Sequence, residues 1–127
     1  MASILKVDDL RGNTSAGDIT ITSEGGAATQ SLQQGIAKVW AYHEDQSVTD
    51  SLNVSSGTDT SAGIFDLTFT NAFSTDDWSG HFTDENYHNY IPATGRSSTT
   101  LKTISRDVSG TLIDATDGNV TVHGDLA

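Results

Sequence analysis

The sequence predicts an all-β protein: an antiparallel β-sandwich, jelly-roll-like or similar, with an extended N-terminal segment. Three observations carry this. Short runs in which apolar and polar residues alternate recur along the chain. Roughly a quarter of the residues are Ser or Thr, and Gly is frequent, as suits strands joined by many turns. No helical period is sustained for three turns.

The elements follow in order. Ile4-Leu5-Lys6-Val7 is a short apolar start. Asp18-Ile19-Thr20-Ile21-Thr22 alternates and ends at the turn residues Glu24-Gly25-Gly26. The polar stretch from Ala27 to Gln34 reads as linker or a short helical turn. The clearest strand runs from Gly35 to His43. Ile36, Lys38, Trp40 and Tyr42 point one way, and Ala37, Val39, Ala41 and His43 the other. Both faces are partly apolar, which predicts a central strand or one at a subunit contact.

A hairpin comes next. Asp50–Ser55 is a strand, Ser56–Gly63 has turn chemistry, and Ile64–Thr70 is the return strand. In the return strand Phe65, Leu67 and Phe69 alternate with Asp66, Thr68 and Thr70, so they should form the centre of the core. Phe73 and Trp78 continue the apolar content. Ser79–Gly95 is the least regular segment, and Asp84–Ser97 reads as a long loop stopped by Pro92. Thr99–Ser105, Gly110–Ile113 and Asn119–His123 are the last expected strands, with Asp117-Gly118 as a turn before the final one. The expected organisation is an N-terminal segment over residues 1–30 and a sandwich over 31–127.

Length and charge bound what the chain can do. At 127 residues it has room for one modest core. It has no Cys, so disulfides and thiolate metal sites are excluded. No apolar run suggests a signal peptide or a membrane insertion. The net charge of −11 argues against nucleic-acid binding, because phosphate attraction needs a basic surface. Between Lys38 and Arg96 all charged residues are acidic, from Glu44 to Glu85. This reads as a solvated acidic surface that keeps the protein soluble.

The ordered series of segments resembles marine bacteriophage tail-fibre-like virion proteins. Leu32-Gln33-Gln34-Gly35-Ile36-Ala37-Lys38-Val39-Trp40-Ala41-Tyr42 is similar to a strand of that family. So is the hairpin built on Asp50-Ser51-Leu52-Asn53-Val54-Ser55-Ser56 and Gly63-Ile64-Phe65-Asp66-Leu67-Thr68-Phe69-Thr70. Gly110-Thr111-Leu112-Ile113-Asp114 and Asn119-Val120-Thr121-Val122-His123-Gly124-Asp125-Leu126-Ala127 resemble its C-terminal end. Ser3–Leu10 is similar to the opening by which phage fibres attach to the particle. The resemblance implies virion attachment through Ile4, Leu5, Val7 and Leu10, and assembly in the host cytoplasm into a homotrimer on the virion. Typical fibres place a long shaft between opening and module. Here about 20 residues separate them, which favours a short fibre or compact surface subunit.

The implied function is a non-enzymatic virion structural protein. Its expected form is a short tail-fibre or adhesin-type subunit that contacts other virion proteins and host surface polysaccharide or protein. A capsid decoration or tail connector protein is the alternative, and a polysaccharide depolymerase fragment a further one. Host contact is expected at Tyr87, His88, Asn89 and Tyr90, an aromatic and polar group near Pro92 whose rings could cover sugar faces. No cofactor is expected. Of His43, His81, His88 and His123, only His81 and His88 share a loop, and their spacing fits no usual metal-site pattern. Asp114, Asp117 and Asn119 superficially resemble calcium-loop spacing but lack the distal Glu. Asp76-Asp77 and Asp84-Glu85 are paired carboxylates without a sign of the apolar pocket that glycoside hydrolysis requires.

Overall fold

Burial alternates residue by residue where the sequence alternates. In strand β6, Ile64–Phe69, the side chains of Phe65, Leu67 and Phe69 are buried, while Ile64, Asp66 and Thr68 lie on the other face. Strand β9, Thr100–Arg106, buries Leu101, Thr103 and Ser105 in the same way. Strand β3, Val39–Glu44, buries Val39, Ala41 and His43. Each strand thus supplies one face to a shared core, as period-2 geometry dictates.

The computed structural model describes residues 4–13, 19–22, 26, 29–86 and 88–127. The chain divides into two units, Met1–Ile36 and Ala37–Ala127. In the first, β1 (Thr20–Thr22) pairs antiparallel with β2 (Thr29–Ser31), placing Ile21 opposite Gln30. One helical turn, α1 (Leu32–Gly35), follows. The Leu32 N–H donates to the Ile19 carbonyl at 2.7 Å. Ile4, Leu5 and Val7 form no strand, contrary to their apolar pattern. Ile4, Leu5 and Val7 are exposed, so no burial stabilises a strand there.

The second unit is a β-sandwich of two antiparallel four-stranded sheets. Its remaining strands are β4 (Ser47–Leu52), β5 (Val54–Ser61), β7 (Ser79–Asp84), β8 (His88–Tyr90) and β10 (Asp117–His123). One sheet has the order β4-β3-β10-β7, the other β5-β6-β9-β8. The chain changes sheet between β4 and β5, β6 and β7, β7 and β8, and β9 and β10. β3 is therefore a central strand, one of the two positions its sequence allowed.

The core has two aromatic groups separated by Leu67. At one end Phe69, Phe73 and Trp78 meet, with Phe69 edge-on to Phe73 at 5.2 Å between centroids. Trp78 Nε1 donates to the Ser97 carbonyl at 2.9 Å, and the Arg96 guanidinium stacks over the indole at 5.1 Å. At the other end His43 lies against Phe65 and Phe82. Burying each of these phenylalanines contributes about 1.5–3 kcal/mol.

Several sequence expectations are corrected. Ser56–Ser61, read as turn, belongs to β5, and the reversal is the tight Ala62-Gly63 turn, where Gly63 has φ 69°. The residues looked like loop because β5 is a sheet edge and mostly solvent-facing, where Ser, Thr and Asp are at home. Register shifts within β5 blunt that edge. Ser79–Gly95 is not irregular: it contains β7, β8 and a 3₁₀ turn at Ala93–Gly95. Gly110–Ile113 is not a strand, and only Leu112 makes an isolated bridge, to Arg106. Asp117 and Gly118 are already inside β10, paired with Glu44 and His43.

Candidate functional site

The outward face of the β4-β3-β10-β7 sheet follows from strand register. Leu52, Trp40, Thr121 and His81 lie side by side across its four strands. Asp50, Tyr42, Asn119 and Thr83 form the next row. Trp40 remains 37 % exposed and its neighbour Leu52 47 %. Scattered surface apolar residues are ordinary, but a Trp beside a Leu on a flat sheet face forms a patch suited to contact. Beside them the Tyr42 hydroxyl donates to Glu44 Oε1 at 2.7 Å. That bond, then burial and the charges of Glu44 and Asp117, pushes the phenol up to about 12, so Tyr42 stays a neutral donor.

The outward face of the second sheet carries Tyr90, Ile104 and Ile64 in one row. His88 lies opposite Arg106, and Lys102 opposite Asp66, at 3.8 Å between Nζ and Oδ1. Of the residues expected to meet a host surface, Tyr87 lies outside the described residues. His88, Asn89 and Tyr90 form β8, an edge strand paired with β9. His88 is exposed and Tyr90 is 41 % exposed. Asn89 is half-buried, its Nδ2 donating to Asp84 Oδ1 and the Asn86 carbonyl, both at 3.1 Å, so it ties the crossover together. Ile4, Leu5, Val7 and Leu10, expected from the sequence to attach to a particle, are all exposed.

Three of the carboxylates singled out in the sequence, Asp84, Glu85 and Asp114, hold structure. Asp84 Oδ1 accepts from the Asn86 N–H at 2.7 Å. Glu85 accepts from the backbone N–H groups of Thr116 and Asp117, which pins the start of β10. Its partial burial favours the neutral acid, but those N–H donors outweigh it and hold the carboxyl at about 2. Asp114 Oδ1 accepts from the Gly63 N–H at 2.6 Å. Asp76 and Asp77 are exposed. An open depression of about 340 Å³ is lined by Asp45, Gln46, Asp59, Asp114, Ala115 and Thr116. Among the described residues no group of three or more His, Asp or Glu is arranged to hold a metal ion. Among the same residues no helix is long and apolar enough to cross a membrane.

Sequence reading placed Trp40 and Tyr42 on one face but could not show that Leu52 joins them. That pairing needs the β3–β4 register, which shifts between Tyr42 and His43. No protein-family model matches the chain, and no curated protein or solved structure matches it either.

Proposed function

We propose that this chain is a bacteriophage virion structural protein, a short tail-fibre or adhesin-type subunit that assembles on the particle and meets the host surface. The observation that carries the reading is the Trp40–Leu52 pair on the outer face of a small sandwich. An exposed indole beside an exposed leucine favours contact with a second copy of the chain, because burying both between subunits removes apolar surface from water. A homotrimer is the proposed assembly. The exposed Ile4, Leu5, Val7 and Leu10 are the proposed attachment to the particle, and His88 and Tyr90 the proposed contact with host polysaccharide or protein. Asp84, Glu85 and Asp114 accept backbone hydrogen bonds, which favours a non-enzymatic role.

A capsid decoration or connector role is the second reading. The short span from Leu10 to β3 suits it as well as it suits a short fibre, since neither needs a long shaft. Immunogold labelling of purified virions tests both: label at tail tips supports the fibre, and label over the capsid or neck supports decoration or connection. Absence of the chain from virions rejects both. Light scattering at micromolar concentration tests the assembly, and a monomer rejects the trimer.

A further inference from the structure

Among the described residues, His43 is the one ionisable side chain fully buried in the core. Its ring lies 4.8 Å from Phe65 and 6.0 Å from Phe82 between centroids. Neither ring nitrogen has a hydrogen-bond partner in the protein. Buried polar groups are nearly always paired, and an unpaired one in an apolar setting is costly. A Leu at this position would pack without that cost.

The slot is nevertheless shaped for an imidazole. Gly118 lies directly opposite His43 on β10, and a Cβ there would strike both the His43 ring and Phe82. Glycine in mid-strand weakens a strand, and here it makes room for the ring. The ring borders a cavity of about 10 Å³ whose polar lining is Gln46, Thr103 and Ser105. That is space for about one water. Gln46 Nε2 donates to the Ala115 carbonyl at 2.9 Å at its rim.

The charges around the slot are all negative. On the far side of Gly118, in the same cross-strand row, stands Asp84. Its Oδ2 is buried without a hydrogen-bond partner. Asp84 on β7, Glu85 after it and Asp117 on β10 each favour a proton on His43. Across from His43 on β4 is Val48; β6 contributes Phe65, and β9 Thr103 and Ser105, none of them charged. Asp45 and Asp114 line the open depression that shares Gln46 and Ala115 with the cavity.

We propose that His43 is an acid switch built into the sandwich: it is neutral in the native core, and the proton it takes up on unfolding makes mild acid loosen the fold. Burial opposes the charged ring and outweighs the three carboxylates, so its pKa falls below the ordinary 6.5. A group lowered in the folded state is neutral in both states above the unfolded value. Its contribution is complete there and is lost as pH falls below about 6.5 toward the folded value. Glu85, held at about 2, begins to lose its contribution only below the usual carboxylate range near 4.5, so the two windows are separate.

The experiment is chemical unfolding of the full chain at pH 7.5 and 5.5, for wild type and for the His43→Phe and His43→Leu variants. With the proton bound mainly in the unfolded state, the wild-type unfolding constant should rise more than that of either variant, by up to about tenfold. His81, His88 and His123 are exposed and common to all three proteins. Should the variants fail to fold, ¹³C-labelled histidine in the native wild-type protein gives the answer directly by NMR titration. The proposal expects one imidazole to stay neutral well below pH 6.5 in the folded state. It is overturned if all four native imidazoles titrate at or above 6.5, or if wild type and folded variants share one pH dependence.

Discussion

Asn53 and Asn71 clasp each other where two crossovers meet. Asn53 Oδ1 accepts the Asn71 backbone N–H at 2.7 Å and its side-chain Nδ2 at 3.0 Å, and Asn53 Nδ2 donates to the Asn71 carbonyl at 3.1 Å. Asn53 is the only residue between β4 and β5, and Asn71 follows β6 toward β7. The corner also needs φ 60° at Asn53, a left-handed value that Asn tolerates better than most residues. Asn53→Ala loses both the clasp and the backbone tolerance and should cost about 2 kcal/mol. Asn53→Gly keeps the backbone freedom and should cost about half that. Urea unfolding of the two variants separates the terms; equal losses would mean that the backbone angle contributes nothing.

The core makes a larger prediction. Phe69 meets both Phe73 and Trp78 edge-on and is buried from water. Phe69→Ala should cost about 3–5 kcal/mol, through lost burial and the cavity left behind. Thr68→Ala, on the opposite face of β6, should cost less than about 0.5 kcal/mol. Thermal unfolding that ranks the two the other way round would contradict the register.

Glu85 gives a prediction in pH. Its carboxylate is held at about 2 by the N–H groups of Thr116 and Asp117. A depressed carboxyl stabilises the fold above its unfolded value, and that contribution is lost as pH falls from about 4.5 to 2. Glu85→Gln should therefore be less stable than wild type at pH 7, and the gap should close as pH falls to about 2. The melting temperatures of both proteins across that range provide the check, and a gap that persists in acid would assign the effect to something other than ionisation.

How much was legible in the sequence depended on whether a residue faces the core. Phe65, Leu67 and Phe69 were readable because burial imposes a two-residue period on them. Val39, Ala41 and His43 were readable as one face of a strand, but not as its buried face, because the opposite face also carries Ile36, Trp40 and Tyr42. β5 was missed because its exposed edge lets Ser, Thr, Gly and Asp stand in a strand, and those residues also write turns. β7 and β8 were missed because each offers one apolar anchor or fewer: Phe82 in β7, and in β8 only the outward Tyr90. Gly118 reads as a turn residue by type, and its role beneath the His43 ring depends on cross-strand register that no local pattern encodes. The exposed Trp40–Leu52 pair was hidden likewise, since the shift in register between β3 and β4 decides which residues become neighbours.

The last prediction concerns β8. His88 and Tyr90 project from an edge strand of the second sheet, while the intervening Asn89 is tied to Asp84 and Asn86. The two outward side chains can be changed without touching the hydrogen bonds that hold the crossover. Tyr90 shares its row with Ile104 and Ile64, and His88 faces Arg106, so an aromatic surface adjoins donors able to bind sugar hydroxyls or acidic groups. His88→Ser with Tyr90→Ser should leave the melting temperature within a few degrees of wild type, as exposed substitutions generally do. If the proposed virion role holds, phage particles carrying the double variant should assemble normally and adsorb more slowly to host cells. Asn89→Ala should do the reverse, lowering stability by about 1 kcal/mol through the lost ties while leaving adsorption by folded particles unchanged. Unaltered adsorption by the double variant would remove β8 as the host contact and move the decoration or connector role ahead.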